Sequence, residues 1–268
     1  MRVADVGGEE FSVENGFNLS VVFLLDLSDD YPHNNEESRM LRRNALASLA
    51  ALAFCGIGST LYAVKSAAGD RTVALTFDDG PHPELTPRLL DILEREKISA
   101  TFFVIGSCAV HCPDIVRRAF GAGHEIGNHT WSHPVLTRVS LARAAEEISR
   151  TDALLNDLTG DVPNTIRPPY GAMNDRLSEL ALPRPLILWD VDTLDWRNRS
   201  ASAIERAAIT SDGGIVLLHD INPTTVKALP AIIRNFKSRG YRFVTISSYV
   251  VGSEKGDEAQ YLKDLPMS

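Results

Sequence analysis

Val73-Ala74-Leu75-Thr76-Phe77-Asp78-Asp79-Gly80-Pro81, "VALTFDDGP", is the stretch on which the reading of this chain turns. Its apolar first half reads as a buried strand of a parallel sheet, and Gly80-Pro81 ends that strand in a turn. Two adjacent carboxylates stand between the strand and the turn. Buried charge is retained only where it is paired or bound to a metal, so Asp78 and Asp79 mark a functional strand end. Side chains alternate along an extended chain, which predicts that the two carboxylates point in opposite directions and do different work.

Outward from this stretch, short β-type runs alternate with helical patterns. Strands are expected at 73–77, 101–105, 125–128, 164–167, 185–189, 214–218 and 242–246. Helices are expected near 85–96, 112–121, 140–158, 174–181, 201–210 and 224–239. The clearest helix opens at Ser140, carries Leu141, Ala145, Ile148, Leu155 and Leu158 on one face, and stops at Gly160. This alternation predicts an α/β fold: a distorted, incomplete (β/α) barrel of about seven parallel strands, with an open doubly wound sheet as the other solution. No repeat or linker divides residues 70–250, and the polar segment 251–268 reads as a surface tail.

The formal charge of −8 is concentrated in residues 1–39, where Arg2 and Arg39 face nine acidic side chains, leaving −1 for the other 229 residues. A domain so balanced gives no electrostatic case for nucleic acid or an anionic membrane surface. From Met40 the chain has two arginines, 21 uncharged residues at 44–64 and the small run Ser66-Ala67-Ala68. That is the order of a secretory signal peptide, with an apolar part also long enough for a membrane anchor, so residues 40–69 predict export, and any membrane contact is expected only through 44–64. A buried core helix is disfavoured because no polar face interrupts the run. Residues 1–39 are an acidic leader of a kind unusual before such a signal, which suggests that Met40 is the true start. The bulky Phe54 before Cys55 argues against a lipid attachment there, and Cys108 and Cys112, flanking His111, read as small apolar side chains rather than a bridge or a zinc site.

Reactive side chains in a β/α barrel collect at the carboxyl ends of the strands. Five strand ends carry them here: Asp78 and Asp79; His129 and His133; Arg167; Asp190, Asp192 and Asp195; His219 and Asp220. The four-residue spacing in "HTWSH" (129–133) brings two imidazoles to one side of a turn, and a carboxylate from a neighbouring strand end completes a set suited to zinc. Asp78 or Asp79 supplies that third ligand, leaving the other as a base. His82 and His124 read as structural, and Trp131 and Trp196 either stack on a sugar ring or pack the core.

Five motifs, "TFDDGP" (76–81), "HTWSHP" (129–134), "RPPYG" (167–171), "DTLDW" (192–196) and "LLHD" (217–220), resemble in order and spacing those of the polysaccharide deacetylases. The resemblance implies a distorted β/α barrel and a metal-dependent hydrolase that releases acetate from N-acetylglucosamine units of a polysaccharide, peptidoglycan first and chitin second. It makes Asp79, His129 and His133 the ligands of Zn2+, with Co2+ or another divalent transition metal as the substitute. Asp78 becomes the general base, held by Arg167, and His219 the general acid, tuned by Asp195. The backbone amide of Tyr170 would bind the oxyanion, and Pro168, Trp196 and Leu217 would line the substrate groove. Asp190 and Asp192 receive no direct role. The partner is an acetylated glycan, and the chain is expected to act as a monomer.

Two other readings compete. A glycosidase also uses paired carboxylates, but these must flank the substrate, which adjacent residues of alternating direction cannot do. A carbohydrate-binding module without turnover would keep the groove and release no acetate.

Overall fold

The computed structural model describes residues 2–4, 10–12 and 71–253, with side chains described for 71–250. The chain divides into two compact units, Met1–Gly58 and Ser59–Ser268. In the first, β1 (Arg2–Ala4) and β2 (Glu10–Ser12) form an antiparallel pair, with Val3 opposite Phe11. The leader boundary, the apolar segment 44–64 and the tail beyond residue 253 lie outside the described residues. No helix among the described residues is long and apolar enough to cross a membrane.

The second unit is built on a six-stranded parallel sheet around β3 (Thr72–Asp78). β3 pairs with β4 (Thr101–Val104) and β7 (Gly214–His219), and its first residues pair with β8 (Arg242–Phe243). β5 (Glu125–Asn128) extends the sheet beyond β4, and β6 (Val191–Asp192) extends it beyond β7. The register sets Asp78 level with His219, and Val104 level with Asn128, so the reactive strand ends share one rim.

The pleat of β3 sorts its residues. Val73, Leu75 and Phe77 face outward into the layer shared with α1 (Leu85–Glu96), α6 (Ala201–Ala208) and α7 (Pro223–Ser238). Ala74 faces inward, where it packs with Phe103, Ile187, Ile215, Val244, Ile246 and Tyr249. Both layers are buried, and each large apolar side chain so placed contributes about 1.5–3 kcal/mol. Helix boundaries follow local chemistry: Ser140 Oγ accepts the amide of Arg143 at the start of α4 (Leu141–Thr159), and Gly160, at φ 82°, ends it in the left-handed conformation.

The expected barrel is present in distorted form: the sheet is not closed, and its continuation beyond β5 consists of single parallel bridges, Asn128 to Ile166 and Ile166 to Leu186. The strands expected at 164–167 and 185–189 are therefore reduced to one bridged residue each. Pro163, Pro168, Pro183 and Pro185 remove ladder donors there. In addition, the carbonyls of Ile187 and Leu188 are taken by the Arg167 guanidinium instead of a neighbouring strand. The strand expected at 242–246 stops at Phe243 and the chain turns into α8 (Ile246–Ser253), whose first amides donate to Thr101 Oγ1 and Glu125 Oε2. The helical face of α4 also differs from expectation: Leu141 is 49% exposed, and the buried positions are Ala144, Glu147, Ile148, Thr151, Leu155 and Leu158. The short helices α2 (Gly106–Ala109) and α3 (Pro113–Gly121) follow β4, while α5 (Asp175–Ala181) is capped by Asn174.

Candidate active site

The end of β3 sets the geometry. Asp78 is still in the strand and points inward below the rim, with 3% of its surface exposed. Strict alternation would send Asp79 to the opposite face, yet its Oδ1 lies 3.4 Å from His129 Nε2, and Oδ2 of Asp78 lies 3.7 Å from the same nitrogen. Asp79 has φ 74°, and this left-handed residue breaks the pleat and returns its carboxylate to the face that Asp78 occupies. The expectation of opposite directions is thereby corrected. What separates the two carboxylates is their partners.

Asp78 Oδ1 accepts from Arg167 Nη1 at 2.7 Å. Arg167 is wholly buried and also donates to Thr76 Oγ1 at 2.7 Å and to the carbonyls of Ile187 and Leu188, with its guanidinium carbon 4.1 Å from the centre of the Phe103 ring. Asp79 is surrounded by imidazoles: His133 Nε2 lies 3.3 Å from Oδ1 and His219 Nε2 lies 3.9 Å from Oδ2. Burial opposes ionisation of Asp79, but His129, His219 and His133 outweigh it and hold the carboxyl below its ordinary range. A glycosidase acid would need the opposite shift.

The two histidines come from the loop after β5. His129 Nδ1 lies 2.7 Å from the carbonyl of Arg167, which can only accept, so Nδ1 carries a hydrogen and Nε2 is the ring atom presented toward Asp79 as a ligand. His133, at φ 59°, brings its ring 4.9 Å from that of His129, and burial followed by the neighbouring His129 keeps it below the usual imidazole pKa. Ligand atoms of Asp79, His129 and His133 lie within 4.8 Å of one another. Asp79 Oδ1 is buried and has no hydrogen-bond partner. An orphaned carboxylate oxygen faced by two imidazole nitrogens is poorly satisfied by the protein alone and fits a divalent cation.

His219, at the end of β7, is fixed from the other side. Its Nδ1 lies 2.6 Å from Oδ1 of the fully buried Asp195, whose Oδ2 accepts the His219 amide at 2.7 Å and the Thr225 hydroxyl at 2.5 Å. Burial opposes the charge on His219, but Asp195, then Asp78 and Asp79, push its pKa up to about 9. The imidazole is thus a proton donor at neutral pH.

Tyr170 is 68% exposed at φ 60°, packs edge-on to His133 with ring centres 4.7 Å apart, and follows the buried Pro168 and Pro169. Trp196 is 53% exposed, whereas Trp131 is half-buried under the Arg150 guanidinium. Leu217 is 4% exposed on β7, its carbonyl taken by Thr193 Oγ1; the exposed apolar groups flanking His219 and Asp195 are instead Ile221, Leu194 and Trp196. Asp190 accepts the Ile215 amide, and Asp192 accepts that of Leu194. His82 accepts the amides of Glu84 and Leu85, and the buried His124 accepts that of Ala100, burial and then Arg118 lowering its pKa to about 4. Cys108 and Cys112 are half-buried free thiols.

Sequence reasoning did not resolve Asp220. It leaves the rim and is 1% exposed, accepting from Thr86 Oγ1, with its carboxylate against Gly80 so closely that a Cβ there would fall 2.1 Å from Oδ2. No local periodicity reports such a contact across 134 residues.

The sequence profile of the polysaccharide deacetylases matches residues 65–182. The chain is 43% identical over 185 residues to a peptidoglycan-N-acetylglucosamine deacetylase of Listeria monocytogenes, covering 68% of this chain and 40% of that protein. It is 34% identical to a chitooligosaccharide deacetylase of a Bradyrhizobium species, covering 68% of this chain and 93% of that one. The solved structure of a Bacillus subtilis peptidoglycan deacetylase superposes with a TM-score of 0.67 at 39% identity, over 70% of this chain and 93% of that chain.

Proposed function

The chain belongs to the polysaccharide deacetylase family, and from that premise we propose that it hydrolyses the N-acetyl groups of N-acetylglucosamine units in a cell-envelope polysaccharide, peptidoglycan first, releasing acetate. The observation that carries the reading is the unpartnered Asp79 Oδ1, faced by Nε2 of His129 and of His133 at 3.4 and 3.3 Å. Asp79, His129 and His133 would hold the metal, Zn2+ before Co2+, because two imidazoles and a carboxylate suit these ions and leave a coordination position open. Bound there, the ion supplies Lewis-acid polarisation of the acetyl carbonyl and of water.

The chain's own groups account for the rest. Asp78, its Oδ1 engaged by Arg167 and its Oδ2 on the His129 side, accepts the proton of the attacking water. The Tyr170 amide, presented by a left-handed residue beside His133, donates to the oxyanion, a contribution of about 3 kcal/mol. His219 passes its proton to the departing sugar nitrogen, and Asp195 keeps that imidazole oriented and charged. Water and amide thus become acetate and a free amine. The exposed face of Trp196 offers a platform for a sugar ring.

Export through residues 40–69 would put the protein beside its substrate. The name of the Listeria relative favours peptidoglycan, and that of the Bradyrhizobium relative supports chito-oligosaccharides as the second substrate class. The deciding experiment compares acetate release from peptidoglycan, chito-oligosaccharides and acetylated xylan with Zn2+ or Co2+ present. Release from peptidoglycan above the other two supports the proposal; binding without release from any of them would leave a carbohydrate-binding module.

A further inference from the structure

We propose that Glu147, in the second turn of α4, is a positioning residue that holds the loop carrying His129 and His133 in its ligating shape. The inference rests on the metal reading of Asp79, His129 and His133, and concerns a residue, Glu147, that the five motifs do not include.

That loop is unfavourable by itself. Thr130 and His133 stand at φ 68° and 59°, a region costly for any residue with a Cβ and worst for a β-branched one. It persists because its polar groups are engaged, most of them by residues outside the loop. The amide of Thr130 donates to Asn128 Oδ1, and the carbonyls of Thr130 and Trp131 accept from Gly106 and Ser107. The amide of His133 donates to Thr130 Oγ1. Ser132, between the two ligands, has one anchor: its amide donates to Glu147 Oε2 and its hydroxyl to Glu147 Oε1, both at 2.7 Å.

Glu147 is 1% exposed, and the only cation that reaches it among the described residues is Arg143, at 2.6 Å. A carboxylate is rarely buried to such an extent, and this one occupies a position of α4 where an apolar residue would have packed. Its two oxygens are consumed by the loop and Arg143. Side chains behind metal ligands typically change metal affinity 10–100-fold when removed. Glu147 does so one step further out, through the backbone of Ser132.

The test titrates the metal-stripped protein with Zn2+ by calorimetry and reads the dissociation constant, not activity. Glu147→Ala is expected to weaken binding about 10–100-fold. Glu147→Gln, which keeps an acceptor for the Ser132 amide, is expected to recover most of that loss. Leu155→Ala, a cavity in the same helix away from the loop, serves as the control for general loosening: it should lower the melting temperature and leave affinity within about threefold. If Glu147→Ala does not fold, Ser132→Ala removes one of the two anchors and should cost several-fold. Wild-type affinity in Glu147→Ala, or in Ser132→Ala in its place, overturns the inference, as does a loss equalled by Leu155→Ala. No Zn2+ binding by the wild type would instead overturn the metal reading beneath it.

Discussion

Nη1 of Arg167 lies 2.7 Å from Oδ1 of Asp78, and the two side chains are 0% and 4% exposed. Breaking a pair this deeply buried by removing one partner costs about 3–5 kcal/mol, because the other is left as an uncompensated charge. Arg167→Met should therefore lower stability by that amount in urea unfolding. Adding Asp78→Asn should restore part of it, since no lone charge remains. A double variant as unstable as the sum of the two single ones would contradict the pairing.

His219 carries its proton because Asp195 holds Nδ1, on the ring edge away from Asp79. That contribution survives neutralisation of Asp79 by a cation. Activity requiring a protonated His219 should persist above the ordinary imidazole value of 6.5 and fall as pH rises further, because Asp195 raises the pKa of that ring. Asp195→Asn should bring this basic limb of the kcat/KM profile down toward the ordinary value of 6.5, together with a lower maximum. An unmoved limb would assign it to another group.

Asp220 couples stability to pH with a definite sign. Burial raises its pKa from 3.8 to about 7, so between these values the unfolded chain is ionised while the folded one keeps its proton. Its stabilising contribution is complete below pH 3.8 and is lost as pH rises through 7, by an amount on the order of 4 kcal/mol. In the metal-free protein, Asp220→Asn should gain on the wild type by a few kcal/mol between pH 5 and pH 8. A pH-independent difference in denaturant unfolding would refute the assignment.

Metal binding to the folded chain alone should raise its stability by about 2.7 kcal/mol at a hundredfold excess over the dissociation constant. Asp79→Ala removes the carboxylate on which both imidazoles converge, and its melting temperature should no longer respond to Zn2+. Chelation should stop acetate release by the wild type and added Zn2+ should restore it. A full thermal response in Asp79→Ala would place the ion elsewhere.

The helix starting after Ser140 and ending at Gly160, the strand ending at Asp78 and the identities of the groups on the rim were legible in the amino-acid sequence, because each is a local pattern: a cap, a period, a motif. The strands at 164–167 and 185–189 were overread, since an apolar run does not disclose that a distant guanidinium will take the carbonyls of Ile187 and Leu188. Nothing in the local sequence distinguishes Glu147 from the neighbouring Glu146 on the same helix, because the loop it meets is fixed only by packing.

The doubled aspartate shows where the division falls. Sequence by itself determined that two carboxylates leave a buried strand and that histidines and an arginine await them at other strand ends. Only the tertiary structure decided how they are shared. The left-handed turn at Asp79 set both carboxylates around His129, and contacts across 89 residues to Arg167 and 134 residues to Thr86 distinguished Asp78 from Asp79 and drew Asp220 inward. Such contacts are set by how strands pack side by side, and the order of residues along one strand carries no record of its neighbours.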